Sequence, residues 1–201
     1  MSSDYRSKIE AYIRQEARPI DKYSHQVRLY RLASQIGAGL DYDDEILHAA
    51  VWLHDLGVFI GHRPENIEQL SRWDNVAYAA QKVPVLLQEW GFPNTKIPSV
   101  VDAIRNHLPS GLPNTIEGVI LRDADILEQL GAVTILRTVS KVGRDTRYRT
   151  FGDAIATLES QLQKLPEQLQ LPHARELAQP RIAALQSFLA AASAESGNIG
   201  W

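Results

Sequence analysis

Apolar side chains return every three or four residues along nearly the whole chain, and no run alternates with enrichment in β-branched residues. This periodicity restricts the fold more than any other feature. A repeat near 3.6 suits amphipathic helices, and without period-2 stretches no sheet of consequence is expected. Helices are read at about 4–18, ending before Pro19, and from a cap at Asp21 to about Gly37. A third starts at Asp43 or Asp44 and stops at Gly57, and a short one begins near Pro64. The next run over 74–90 with Pro84 as a kink, from Pro98 to near His107, and over 114–130 up to Gly131. The last fall at about 132–142, 151–165 and 173–193. With 201 residues, 44% of them hydrophobic, the chain can bury one core. An all-α fold with a single domain over 1–195 is expected, followed by a flexible tail over 196–201 that carries Trp201.

Charge and residue content narrow the function. A formal net charge of −3 gives no strong pull toward nucleic acid. The chain has no cysteine, which excludes disulfides and thiolate zinc sites, so any metal must be held by His, Asp or Glu. "MSSDYRSKIEAYIRQ" carries charges where a signal peptide needs an apolar run, and no apolar stretch approaches a membrane span. A cytoplasmic protein is expected.

Three histidines lie where helices point their apolar side chains. His25 shares a ridge with Leu29, Leu32 and Ile36; His54 with Leu47, Ala50 and Val51; His107 with Val100, Ala103 and Ile104. Any one alone reads as a core histidine with a satisfied hydrogen bond. Three inward imidazoles on three helices are costly to bury unless something binds them together. Asp55 follows His54 in the last turn of its expected helix, where the macrodipole disfavours an anion by roughly 0.3–1 kcal/mol. A nearby cation reverses that penalty. A further acid comes from "VILRDADILEQLG". Asp123 and Asp125 diverge on a helix, and periodicity alone selects Asp123, which shares a face with Ile116, Val119, Ile120, Leu127 and Leu130.

The segments "SHQVRLYRLA", "WLHDLG" and "LRDADILEQLG", in that order, resemble the HD-domain metal-dependent phosphohydrolases. Their pattern is a histidine, a later His-Asp pair and a distant aspartate. With "AIRNHLPSGLPNTIEG" before it, the last segment resembles the small bacterial single-domain branch, some of whose members are nucleotide pyrophosphatases. The resemblance covers about residues 20–140 and implies a compact helical bundle of the HD type. Matched position by position, it implies that His25, His54, Asp55 and Asp125 bind the metal, choosing Asp125 where periodicity chooses Asp123. Asp123 is then a buried carboxylate in need of an arginine or a backbone donor. Two departures stand out. Leu56, Gly57, Val58 and Phe59 follow the His-Asp pair where alarmone hydrolases of the superfamily carry acids, and the extra histidines of the two-metal branches are incomplete, with His107 the only well-placed one.

Two imidazoles and two carboxylates suit one Mn²⁺, Fe²⁺, Co²⁺, Ni²⁺ or Zn²⁺ ion, with Mg²⁺ also admissible. Such an ion supports hydrolysis of a phosphate monoester or a nucleotide phosphoanhydride by a metal-activated water. Asp55, His107 and Arg28 are the candidate catalytic residues. Arg28 offers positive charge to phosphoryl oxygens, and His107 can donate to a phosphate or leaving group or accept the water's proton. Arg28, His107, Arg63 and His62 are the candidate substrate contacts. Glu128 stands one turn after Asp125, where it can orient a ligand or lie exposed. The basic run Lys141, Arg144, Arg147 and Arg149 reads as a solvated loop that can also clamp a polyphosphate. The partner expected is a small-molecule phosphate or nucleotide, with no membrane and no nucleic acid, and a homodimer is compatible with the sequence. Two alternatives come from other classes: a two-iron oxygenase of the same superfamily, and a non-catalytic module that binds a nucleotide or a metal.

Overall fold

The computed structural model describes residues 4–197; the end of the expected tail, Trp201 included, lies outside the described residues. Ten α-helices follow in order: α1 (Tyr5–Glu16), α2 (Asp21–Ile36), α3 (Asp44–Leu53), α4 (Ile67–Ser71), α5 (Asn75–Glu89), α6 (Ile97–Arg105), α7 (Ile116–Glu128), α8 (Ala132–Val139), α9 (Phe151–Lys164) and α10 (Pro172–Glu195). The described residues contain no strand, only an isolated bridge between Ile60 and Arg63. None of their helices is long and apolar enough to cross a membrane. The chain divides into two units, Met1–Ala124 and Asp125–Trp201.

The first unit is organised by α3. Every residue from Ile46 to Leu53 is buried, His48 and Trp52 included. A helix apolar around its circumference has to be surrounded. Helices α1, α2 and α6 pack on it, and α5 packs on α6. On α2 and α6 the inward ridges are those the periodicity picks out, with Leu29, Ile36, Val100 and Ile104 fully buried, and on α1 Ile9 and Ile13 are fully buried as well.

Polar contacts fix where α3 begins. Asp43 is its N-cap, accepting from the amides of Glu45 and Ile46 at 2.9 and 3.4 Å. Lys96 reaches Asp43 at 2.5 Å and Glu45 at 2.7 Å, and the Tyr5 hydroxyl donates to Glu45. Arg6 from α1 and Tyr30 from α2 meet on Asp44 at 2.8 and 2.9 Å. Three acids thus sit at the positive end of the helix dipole, tied to α1, α2 and the turn before α6.

Several helix ends differ from those the sequence predicts, each for a local reason. Ile20, not Asp21, flanks α2, and Asp21 serves as a first-turn acid. The short helix starts at Ile67, not near Pro64, because Asn66 caps it through the amides of Glu68 and Gln69. Helix α3 ends at Leu53 rather than at Gly57, and a 3₁₀ turn over Leu56–Val58 follows. Gly57 has a different task. A Cβ there would stand 2.4 Å from the carbonyl oxygen of Asn75, so the glycine lets this turn lie directly on the start of α5. The Trp73 indole N–H donates to the Gly57 carbonyl at 2.8 Å and fastens the two together.

In the second unit α9 packs against both α8 and α10. Helix α9 opens on a capping box between Thr150 and Asp153. Gly131, with φ of 87°, turns the chain from α7 into α8 beside Arg181, whose guanidinium donates to the Leu127 carbonyl at 2.9 Å.

The α3 cap gives a test of stability and its pH dependence. Burial raises the Asp43 carboxyl, but hydrogen bonds from Lys96 and from the Glu45 and Ile46 amides outweigh it, so the net shift is downward. Hydrogen bonds from Lys96 and Tyr5 likewise lower Glu45. The folded carboxylates bind fewer protons than the unfolded ones. Their stabilisation is therefore present above the ordinary carboxylate range and fades as pH falls through it. Asp43→Ala is expected to lose about 1–2 kcal/mol in urea unfolding at neutral pH. The gap from the parent should shrink as pH falls below the ordinary carboxylate range, where first the unfolded and then the folded Asp43 carboxyl protonates.

Candidate metal centre

The site is built where α3 stops. His54 is the C-cap of α3 and is 1% exposed. Its Nδ1 lies 2.8 Å from the Val51 carbonyl oxygen. A carbonyl can only accept, so Nδ1 carries a proton and Nε2 is the ring nitrogen left for a ligand role. That Nε2 is buried and has no hydrogen-bond partner among the described residues. Asp55 comes next, beyond the helix rather than in its last turn, with φ −91° and ψ 9°. This bridge conformation turns the chain so that adjacent side chains face a common point. Asp55 Oδ1 lies 3.7 Å from His54 Nε2.

Helix α2 brings the third group. His25 is 2% exposed, and its Nε2 lies 3.9 Å from Asp55 Oδ2. The ligand-capable nitrogens of His25 and His54 come within 4.8 Å of each other. His107 lies beside this pair, its ring centroid 4.9 Å from that of His54. Helix α6 ends at Arg105, two residues before the expected stop, and His107 follows its cap residue Asn106. Its Nδ1 stands 2.6 Å from the Ile104 carbonyl, the same i to i−3 arrangement as in His54. Asp102 steadies the loop that follows, accepting from the Asn106 side chain and from the backbone and side chain of Asn114.

A buried acceptor nitrogen facing a carboxylate at 3.7 Å is unfavourable unless a cation joins them. The donor set therefore fits a divalent ion: the His25 and His54 ligand nitrogens lie within 4.8 Å of each other beside the Asp55 carboxylate and could hold a metal. Burial raises the Asp55 carboxyl, but its electrostatic interactions with His54, Lys22, His25 and His107 outweigh that and hold it far below the usual carboxylate range.

The other candidates are placed as follows. Arg28 is half-buried on α2, one turn from His25, and donates to the Ser24 hydroxyl at 3.1 Å. Asp123 is fully buried with Arg122 at 3.3 Å, and Arg122 also donates to the Pro109 carbonyl. Its environment is that of a paired structural carboxylate. Asp125, the first residue of the second unit, accepts from the Gln129 side chain at 3.2 Å. Glu128 is 2% exposed with Arg137 at 3.6 Å, so it is a buried partner and not an exposed acid.

His62, an expected substrate contact, has both ring nitrogens hydrogen-bonded within the protein. Its Nδ1 meets the Tyr78 hydroxyl at 3.0 Å and its Nε2 meets Glu16 at 3.1 Å, so both ring nitrogens are engaged in packing α1 against α5. Arg63 is half-buried and shares a shallow pocket with Ile60, Pro64, Glu65 and Leu70. The basic run is largely satisfied within its own loop. Arg147 pairs with Asp145 at 2.6 Å, Arg147 and Lys141 lie over the Tyr148 ring, and Arg144 donates to the Ser140 carbonyl.

Sequence reasoning missed Lys22. Its Nζ lies 3.5 Å from Asp55 Oδ2. The available signal was helical spacing: Lys22 is three residues before His25 and shares its face.

The chain belongs to the HD domain family, whose model matches residues 23–130, more than half of it. A predicted HD superfamily hydrolase from an uncultured Thermotogales bacterium is 25% identical with a TM-score of 0.65, covering 94% of this chain and 91% of that one. YpgQ of Bacillus subtilis, solved in complex with ADP, is 23% identical with a TM-score of 0.76 over 97% and 96% of the two chains. An HD-superfamily hydrolase from Bacillus thuringiensis is 19% identical with a TM-score of 0.70 over 96% and 97%. These likenesses agree with the all-α fold of the HD type. None of the curated proteins compared matches this chain.

If the cluster holds an ion, added Mn²⁺ should raise the melting temperature in proportion to the logarithm of its concentration above Kd. His54→Gln should abolish that response, since the orphaned Nε2 is gone. A variant that still responds as the parent does would show that the ion binds elsewhere.

Proposed function

We propose that the protein is a metal-dependent phosphohydrolase acting on a nucleotide or a related phosphate ester, with His25, His54, Asp55 and Asp125 as metal ligands. The observation that carries this reading is the orphaned Nε2 of buried His54 facing the Asp55 carboxylate. Membership of the HD domain family and the hydrolase names of two similar structures agree with it. The ADP held by the B. subtilis protein points to a nucleotide as the substrate class.

When bound, a divalent cation supplies Lewis-acid polarisation of a phosphate oxygen and acidifies a water. The chain's own residues supply the rest. The Nδ1–H bonds of His54 and His107 to backbone carbonyls fix each ring's tautomer and aim its Nε2. His107 Nε2 is the proton carrier, taking a proton from the attacking water or giving one to the leaving oxygen. Arg28 neutralises charge on the phosphoryl oxygens through its planar fork. Arg63 contacts a distal part of the substrate. The surrounding apolar helices exclude bulk water and so strengthen each of these interactions.

Protein loaded with Mn²⁺ or Co²⁺ and offered nucleoside di- and triphosphates and a generic phosphate monoester should turn over at least one class. His107→Ala should lower kcat by about 10²–10⁴. Arg28→Ala should act mainly by raising KM. Metal-loaded protein without turnover on any of these compounds overturns the reading, and two irons per chain with an iron–oxygen absorption band would replace it by the oxygenase.

A further inference from the structure

Lys22 stands apart from the groups that the family pattern accounts for. It lies on α2, one helical turn before His25, with its side chain 23% exposed. Its ammonium is 3.5 Å from Asp55 Oδ2, and that same oxygen is 3.9 Å from His25 Nε2. The carboxylate is itself only 14% exposed, so the pair is poorly screened by solvent. It is therefore not an ordinary surface ion pair, in which both partners are well solvated. An ammonium and a divalent cation cannot both sit on Asp55 without strong mutual repulsion. Lysine's four-carbon stem lets its head group move several ångströms while the helix stays still. Helical spacing places the nearby Arg28 on the far side of His25 from Lys22, so the two cations flank that imidazole along α2.

We propose that Lys22 is a resident counterion of Asp55: it competes with the divalent cation for this carboxylate and, once displaced, turns its charge to the phosphate of the ligand. The first half rests on the contact geometry and on Asp55 as a metal ligand, as proposed above. The second half rests on the phosphohydrolase reading above. Lysine suits the double task because it acts as a compact point charge on a flexible stem, whereas a guanidinium would be held by its bidentate geometry.

The test is calorimetric titration of Mn²⁺ into the parent, Lys22→Met and Lys22→Arg, followed by titration of ADP into each Mn²⁺-loaded protein. Lys22→Met should bind Mn²⁺ about tenfold more tightly, the scale set by one partly screened unit charge. It should also melt at a lower temperature than the parent in chelator, because the buried carboxylate loses its counterion. Lys22→Arg should bind Mn²⁺ within a few-fold of the parent. ADP should bind the Mn²⁺-loaded Lys22→Met protein several-fold more weakly than the parent. Unchanged or weaker Mn²⁺ affinity in a Lys22→Met protein with native circular dichroism overturns the counterion role. Equal ADP affinity overturns the phosphate role. Tighter Mn²⁺ binding in Lys22→Met with no nucleotide turnover by the parent supports the counterion role while removing the hydrolase reading.

Discussion

The structure depends on a carboxylate kept ionised at the edge of an apolar core. Asp55 emerges from the end of a helix whose last eight residues are all buried. A lone anion in such a place would protonate or draw in water. Here it is surrounded by the imidazoles of His25, His54 and His107 and by the ammonium of Lys22, and it stays charged. Each of those groups in turn requires its helix to end or turn where it does. Helix α3 must stop at His54, α6 must stop just before His107, and α2 must present a whole turn, Lys22 to His25, toward the same point.

This arrangement makes the opposite end of α3 important as well. The cap and charges at Asp43, Asp44 and Glu45 hold the first turn of α3 against α1, α2 and the turn before α6. A helix of ten residues pinned at its start and buried along its length has little freedom to shift along its axis. Side-chain positions at its far end are set by the rigid rise of the helix, about 1.5 Å per residue. The polar contacts at one end and the polar cluster at the other are thus parts of one positioning system, although they share no residue.

Much of this was legible in the sequence. Helical periodicity placed His25, His54 and His107 on buried ridges, and all three are almost fully buried. The same reasoning put Asp123 on an apolar face, and it is buried with Arg122 as its partner. Helix termini were less legible, because the deciding groups lie outside the local window. Gly57 looked like a helix stop, but its small size answers the backbone of Asn75, a residue 18 positions away. His62 looked like a loop residue available to substrate, but Glu16 and Tyr78, from two distant helices, take both of its nitrogens. Lys22 was hidden among ordinary charged residues, since one lysine on a helix gives no pattern of its own. Glu128 shows the same difficulty in reverse: its burial follows from Arg137, which only the fold brings near.

The contact between Gly57 and Asn75 has a mechanical consequence. With no side chain to act as a cushion, the backbone after the His-Asp doublet rests on the first residue of α5, and the Trp73 indole clips the two from the flank. Only Leu56 separates that point of contact from Asp55. A larger residue at position 57 would push this turn off the first residue of α5, two positions from the carboxylate. The polar cluster at Asp55 and the start of α5 are thus joined through a short stretch of directly packed backbone.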